Sequence, residues 1–130
     1  MYKAYRQKAT RKFNNTPQFG WDSKFERGVG EDLELRKLAG EIVDIKRQVA
    51  IRLEVNGYLV ATYKIDFIVE HNDGHLELIE AKGFATADWK LKWKLLEALH
   101  QDIYPGSELT IIYQRNTWSP RGSVANIQRR

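Results

Sequence analysis

Tyr63-Lys64-Ile65-Asp66-Phe67-Ile68-Val69-Glu70-His71-Asn72-Asp73-Gly74-His75-Leu76-Glu77-Leu78-Ile79-Glu80-Ala81-Lys82 joins two apolar runs through a polar turn. β-Branched and aromatic residues crowd the part before Asn72, and Asn72-Asp73-Gly74 is a turn signal, so two strands meet at a hairpin. The second strand, His75 to Lys82, carries Leu76, Leu78, Ile79 and Ala81. A run so nearly continuous belongs to a strand buried on both faces. Upstream, Ile45 to Val55 alternates, and Asn56-Gly57 marks a two-residue hairpin that pairs it antiparallel with Tyr58 to His71. Downstream, Gly83 ends the strand and Thr86 is a cap. The helix Asp88 to His100 then aligns Trp89, Trp93, Leu96 and His100 on one face. Pro105-Gly106 turns the chain into Glu108 to Tyr113. A strand, helix, strand connection of this length favours parallel pairing with the strand of Glu80.

Toward the N-terminus, Ser23 and Glu26 have the spacing of a capping box. Phe25, Val29 and Leu33, with Leu38 further on, predict a helix from Ser23 to Ala39 that Gly40 stops. Gly28 and Gly30 inside it each cost about 1 kcal/mol against alanine, so its first turns need tertiary contacts or close backbone packing. A chain of 130 residues forms one core. The expected fold is therefore α/β, a central mixed β-sheet flanked by helices. Residues 1–20 are read as a basic arm, 21–114 as the core and 115–130 as a basic tail.

Charge is unevenly distributed along the chain. Lys3, Arg6, Lys8, Arg11 and Lys12 have no acid among them, and neither have Arg115, Arg121, Arg129 and Arg130. Residues 22–113 hold 12 of the 21 basic side chains and all 17 acids. Basic ends suit phosphate neutralisation, whereas a carboxylate-rich centre repels nucleic acid unless a cation intervenes. The chain has no cysteine, which excludes thiolate zinc sites, cysteine nucleophiles and disulfides and suits a reducing cytoplasm. No apolar run approaches the roughly 20 residues that cross a bilayer, and the N-terminus lacks a signal-peptide core, so no membrane association is expected.

Register governs the chemistry. With a three-residue turn, His71 faces His75 and Asp66 falls opposite Glu80, on the face Glu80 shares with Lys82. With a two-residue Asp73-Gly74 turn, Asp66 opposes Ala81 and points away unless a bulge compensates. Two carboxylates side by side repel, and a hard divalent cation resolves the conflict. Mg²⁺ takes one or two carboxylates and keeps several waters, so the implied reaction is phosphodiester hydrolysis, with Lys82 contacting phosphate or orienting water.

Asp66, within Tyr63-Lys64-Ile65-Asp66-Phe67, and Glu80-Ala81-Lys82 on the next strand resemble the pattern of the PD-(D/E)xK nuclease superfamily. The upstream helix, the intervening hairpin and the Lys-rich helix after the triplet follow that family's order over roughly Trp21 to Tyr113. Trp21-Asp22-Ser23-Lys24-Phe25-Glu26 is similar to the opening of small phage and prophage nucleases, and the chain also resembles phage junction-resolving endonucleases. The proline that often precedes the first acid is Ile65 here. The resemblance implies a restriction-endonuclease-like core. It implies Glu26, Asp66, Glu80 and the backbone carbonyl of Ala81 as metal ligands, Lys82 as the catalytic lysine, and Mg²⁺ as cofactor with Mn²⁺ able to substitute. It further implies a homodimer that cuts branched DNA, such as Holliday junctions, during phage recombination in a bacterial cytoplasm.

Ordinary roles stand beside these. Glu26 can simply close the capping box, and Asp66 can pair with Lys64 or Lys82. Lys90, Lys92, Lys94, Arg115, Arg11 and Lys12 are candidate phosphate contacts, and Gln48 a candidate neighbour of the cluster from the first strand. Trp89 and Trp93 fit the buried stripe better than a base-stacking platform. His71, His75 and His100 lack zinc-ligand spacing and read as surface or capping residues. The rival functions are a non-catalytic nucleic-acid-binding module of this fold and a nuclease subunit of a larger recombination, transposition or restriction complex.

Overall fold

The computed structural model describes residues 17–114 and 127–129, with side chains from Lys24 to Gln114. Helix α1 (Pro17–Leu38) leads into strands β1 (Ile42–Val55), β2 (Tyr58–His71) and β3 (Leu76–Lys82). Helix α2 (Ala87–Ile103), strand β4 (Glu108–Tyr113) and a short β5 (Ile127–Arg129) follow. The strands form one sheet in the order β1-β2-β3-β4-β5. It is mixed: β3 and β4 run parallel, and every other neighbouring pair is antiparallel. One helix covers each face, which is the expected α/β architecture.

Each face has its own apolar cluster. Trp93 and Leu96 of α2 pack on Ile51, Leu53, Tyr63, Ile65, Ile68, Leu78, Leu109 and Ile111. On the other side Val29 and Leu33 of α1, with Phe25 beside them, cover Ile42, Phe67, Val69 and Ile79. The turns follow local chemistry. Asn56 and Gly57 both have positive φ, 52° and 82°, as a tight hairpin between twisted strands requires. At the end of α1 the Glu41 N–H reaches the Arg36 carbonyl at 2.9 Å while Gly40 takes φ 82°, a left-handed helix stop.

Several boundaries differ from expectation. Helix α1 begins at Pro17, inside the expected arm, because proline's fixed φ suits a first helical turn. Ser23 is therefore interior and cannot cap, which removes the capping-box role for Glu26. Leu38 is 85% exposed, since five residues after Leu33 it has rotated well off the buried stripe. β5 lies in the expected tail and pairs with β4; three residues carry no period by which a strand can be read. Gly30 has a tertiary contact of the kind expected: a Cβ there would collide with the Arg47 guanidinium. Nothing approaches Gly28.

The β2–β3 register is the three-residue one. His71 N–H bonds the His75 carbonyl at 2.9 Å, Gly74 closes the turn with φ 92°, and the pairing runs from Glu70↔Leu76 to Phe67↔Ile79. Continued one step, it sets Asp66 across from Glu80. At that point the strands depart from regular alternation. On β1, Ile45 packs toward α1, but Val49, Ile51 and Leu53 pack toward α2. On β2, Tyr63 and Ile65 face α2, whereas Phe67 and Val69 face α1. Both strands change phase at the skipped pair Gln48 and Asp66, between Arg47↔Phe67 and Val49↔Ile65. Gln48 there has φ 54°. A non-glycine residue in this region costs on the order of 1–3 kcal/mol, and such strain concentrates at functional sites.

Candidate functional site

Four elements deliver side chains to the change of phase: Glu26 from α1, Gln48 from β1, Tyr63 and Asp66 from β2, and Glu80 and Lys82 from β3. Asp66 and Glu80 are buried, at 8% and 6% exposure. Asp66 Oδ2 accepts the Ala81 N–H at 2.9 Å, and its Oδ1 accepts from the Gln48 amide at 3.2 Å. The same Gln48 nitrogen donates to Glu26 Oε2, so one amide ties two carboxylates together. Glu80 Oε2 lies 3.5 Å from Lys82 Nζ, whereas the buried Glu80 Oε1 has no hydrogen-bond partner among the described residues. Lys82 Nζ also sits 4.7 Å above the Trp89 ring, and the Trp89 indole N–H donates to the Tyr63 hydroxyl at 2.7 Å.

These surroundings disfavour negative charge. Burial, then the charge of Asp66, pushes the Glu80 carboxyl up to about 8, against the opposing pull of Lys82 and the Tyr63 hydroxyl. Burial raises Asp66 as well, with the Ala81 N–H, Gln48 and Lys82 pulling it back. Glu26 is raised by burial and by Asp66. Tyr63, buried beside Glu80, keeps its proton far above the ordinary phenol range. A group of acids that resist ionisation, with one carboxylate oxygen buried and unbonded, is short of positive charge and of one ligand. A hard divalent cation supplies both, so the donor set fits Mg²⁺ or Mn²⁺.

Beside the cluster lies a cleft of about 340 Å³, lined by Tyr63, Lys64, Glu80, Lys82, Trp89 and Lys92 among others. A family model described as "Protein of unknown function (DUF1064)" matches residues 5–117, most of the chain. The chain belongs to the DUF1064 family. No curated protein and no solved structure gives a significant match. The DUF1064 match runs past both ends of the expected 21–114 core, into the segments read as arm and tail.

Among the residues singled out from sequence, this DUF1064 fold brings together Glu26, Asp66, Glu80, Lys82 and the backbone of Ala81. Gln48 belongs to the carboxylates themselves, bonded to two of them. Lys92 stands on the rim of the cleft, and Lys94 lines a neighbouring groove with Val60, Leu91 and Leu95. Lys90 is exposed on α2. Arg11, Lys12 and Arg115 lie outside the described residues. Tyr63, Lys64 and Trp89 were missed. Trp89 fits the helical stripe, but its indole edge and face both turn to the site, which periodicity alone does not register. His100 is neither on the surface nor a cap. It is 7% exposed, bonded through Nδ1 to Ser107 Oγ at 2.7 Å, and burial lowers its pKa. Among the described residues, no helix is long and apolar enough to cross a membrane.

Proposed function

We propose that this protein is a metal-dependent endodeoxyribonuclease that hydrolyses phosphodiester bonds, with Asp66, Glu80 and Lys82 at its centre and Glu26 as a fourth member. The observation that carries the reading is the buried pair Asp66 and Glu80, mutually repelling and holding an unbonded carboxylate oxygen, with a lysine two residues along the strand.

Asp66 and Glu80, with Glu26 alongside and the Ala81 carbonyl as the resemblance implies, would hold one or two Mg²⁺ ions, Mn²⁺ substituting. When bound, the ion supplies positive charge against the carboxylates and the substrate phosphate. The protein's own groups do the rest. Gln48 keeps Glu26 and Asp66 at one place, and the Ala81 N–H fixes the Asp66 rotamer. Once the charge of Glu80 is met elsewhere, the Lys82 ammonium is available to donate to a phosphate oxygen or to orient the attacking water. Water oxygen bonds to phosphorus as it gives up a proton to solvent, the ester P–O bond breaks, and the leaving oxygen takes a proton from solvent. The Trp89 ring beneath Lys82 confines the ammonium to the cleft, and Lys64 and Lys92 on its rim meet flanking phosphates.

The substrate proposed is branched DNA, cut by a homodimer in phage recombination or processing within a bacterial cytoplasm. No base-reading element is evident in the sequence, which favours selection by DNA shape. The test is cleavage of a synthetic four-way junction and of a linear duplex with Mg²⁺. The proposal predicts faster cutting of the junction, lost in Lys82→Ala and Asp66→Asn while DNA binding persists. Equal rates on both substrates defeat the junction assignment. Absence of metal-dependent cutting on any DNA defeats the enzyme reading for the isolated chain.

A further inference from the structure

The three-residue turn that aligns Asp66 with Glu80 also assembles a second group at the other end of those strands. His71 ends β2, His75 immediately precedes β3, and Glu108 opens β4 beside Glu77. The two imidazoles stack with centroids 4.3 Å apart and planes 3° from parallel. His75 Nε2 is 3.0 Å from Glu108 Oε1, and His71 Nε2, bonded to Glu77 Oε1 at 2.7 Å, lies 4.0 Å from the same Glu108 oxygen. One ligand atom from each of the three residues lies within 4.8 Å of the others. His71 is five residues along β2 from Asp66, about 16 Å at roughly 3.3 Å per residue, so the group is separate from the carboxylate cluster.

What surrounds it supports ligation. Asp73 accepts from the His75 backbone N–H at 3.0 Å and contacts the ring at Nδ1, which fixes the ring and directs Nε2 toward Glu108. A carboxylate on the far nitrogen of an imidazole is the usual support of a metal-ligating histidine. Glu77 Oε1, 2.7 Å from His71 Nε2, is a further oxygen at the edge of the group, and Glu77 is itself held by the Thr110 hydroxyl. All three residues are partly buried, open enough for an ion to enter. Sequence spacing does not reveal the group because its third member comes from a strand more than thirty residues away.

We propose that His71, His75 and Glu108 form a site for one divalent transition-metal ion, with Zn²⁺ the best-fitting member, which ties the β2–β3 turn to the start of β4. Two imidazole nitrogens and one carboxylate suit zinc far better than Mg²⁺, which prefers oxygen alone. The bond would fasten the turn whose length sets the Asp66 and Glu80 register, a role independent of whether the chain cuts DNA.

The test uses the full chain, stripped with chelator and titrated with Zn²⁺ by calorimetry in excess Mg²⁺. One equivalent should bind, and Asp66→Asn should leave it unchanged. Asp73→Asn should weaken it by about 10–100-fold, and His75→Asn or Glu108→Gln by at least as much. Because a variant can misfold, imidazole NMR signals of the unmutated chain give a second readout. Zn²⁺ should move His71 and His75 and leave His100 in place. Unchanged affinity in a folded His75→Asn/Glu108→Gln double variant, loss of binding in Asp66→Asn, or unmoved His71 and His75 signals would each overturn the proposal.

Discussion

Replacing Glu80 by glutamine should stabilise the metal-free protein, and the gain should depend on pH in a definite direction. Burial, and then the facing Asp66, push the Glu80 carboxyl up to about 8 from an ordinary 4.5. Its folded-state pKa is raised, so between those values the folded chain holds a proton that the unfolded chain has released. Stability contributed by this group is therefore complete below pH 4.5, falls as pH rises through the window, and levels off above 8. Each factor of ten in proton affinity is worth about 1.4 kcal/mol, so Glu80 accounts for a loss of up to about 5 kcal/mol across the window. Glu80→Gln has nothing to ionise at this position and is spared that loss, while the contributions of Asp66 and Glu26 remain in both proteins. Urea unfolding in EDTA at pH 5, 6, 7 and 8 should show the two proteins nearly equal at pH 5 and progressively apart by pH 8. Added Mg²⁺ should close the gap from the wild-type side, since the cation compensates the ionised carboxylate. Parallel pH profiles for the two proteins would refute the claim that Glu80 is held in a charge-poor site.

Further outcomes follow from packing and geometry. Gly28→Ala adds a Cβ into open space within α1 and should raise stability by about 0.5–1 kcal/mol in the same urea assay. Phe67→Ala removes a fully buried ring that packs under α1 and beneath Arg47, and should cost about 3–5 kcal/mol in urea unfolding. Gln48→Ala should leave the sheet folded by circular dichroism yet weaken Mn²⁺ binding by about 10–100-fold in calorimetry, because Glu26 and Asp66 lose their shared donor.

The central hairpins and the parallel return were legible because their signals are local. Asn56-Gly57 and Gly74 sit where positive φ is required, and the apolar run of β3 admits only a strand covered on both sides. Which turn length joined β2 to β3 was open, since Asn72-Asp73-Gly74 and Asp73-Gly74 both make turns. The Asp73 carboxylate, accepting the His75 N–H, belongs to the three-residue form, and one residue of difference decides whether Asp66 meets Glu80. The start of α1 was obscured by Ser23 and Glu26, whose spacing imitates a cap while Pro17 begins the helix. Least legible was the change of phase at Gln48. Alternation rules assume that a strand keeps its phase, so they give no sign that an exposed glutamine would take positive φ and bridge two carboxylates. Tyr63 and Trp89 were hidden by a different ambiguity, because a buried aromatic can fill a core and edge an active site at once.

In the proposed site Asp66 and Glu80 share one hard cation beside Lys82. A crystal of the full chain soaked in Mn²⁺, with anomalous scattering recorded, tests it most directly. The expected result is a peak within bonding distance of an Asp66 oxygen and of Glu80 Oε1, with Lys82 turned away from Glu80. A well-ordered site with no peak between the two carboxylates, and Glu80 Oε1 still without a partner, would contradict it.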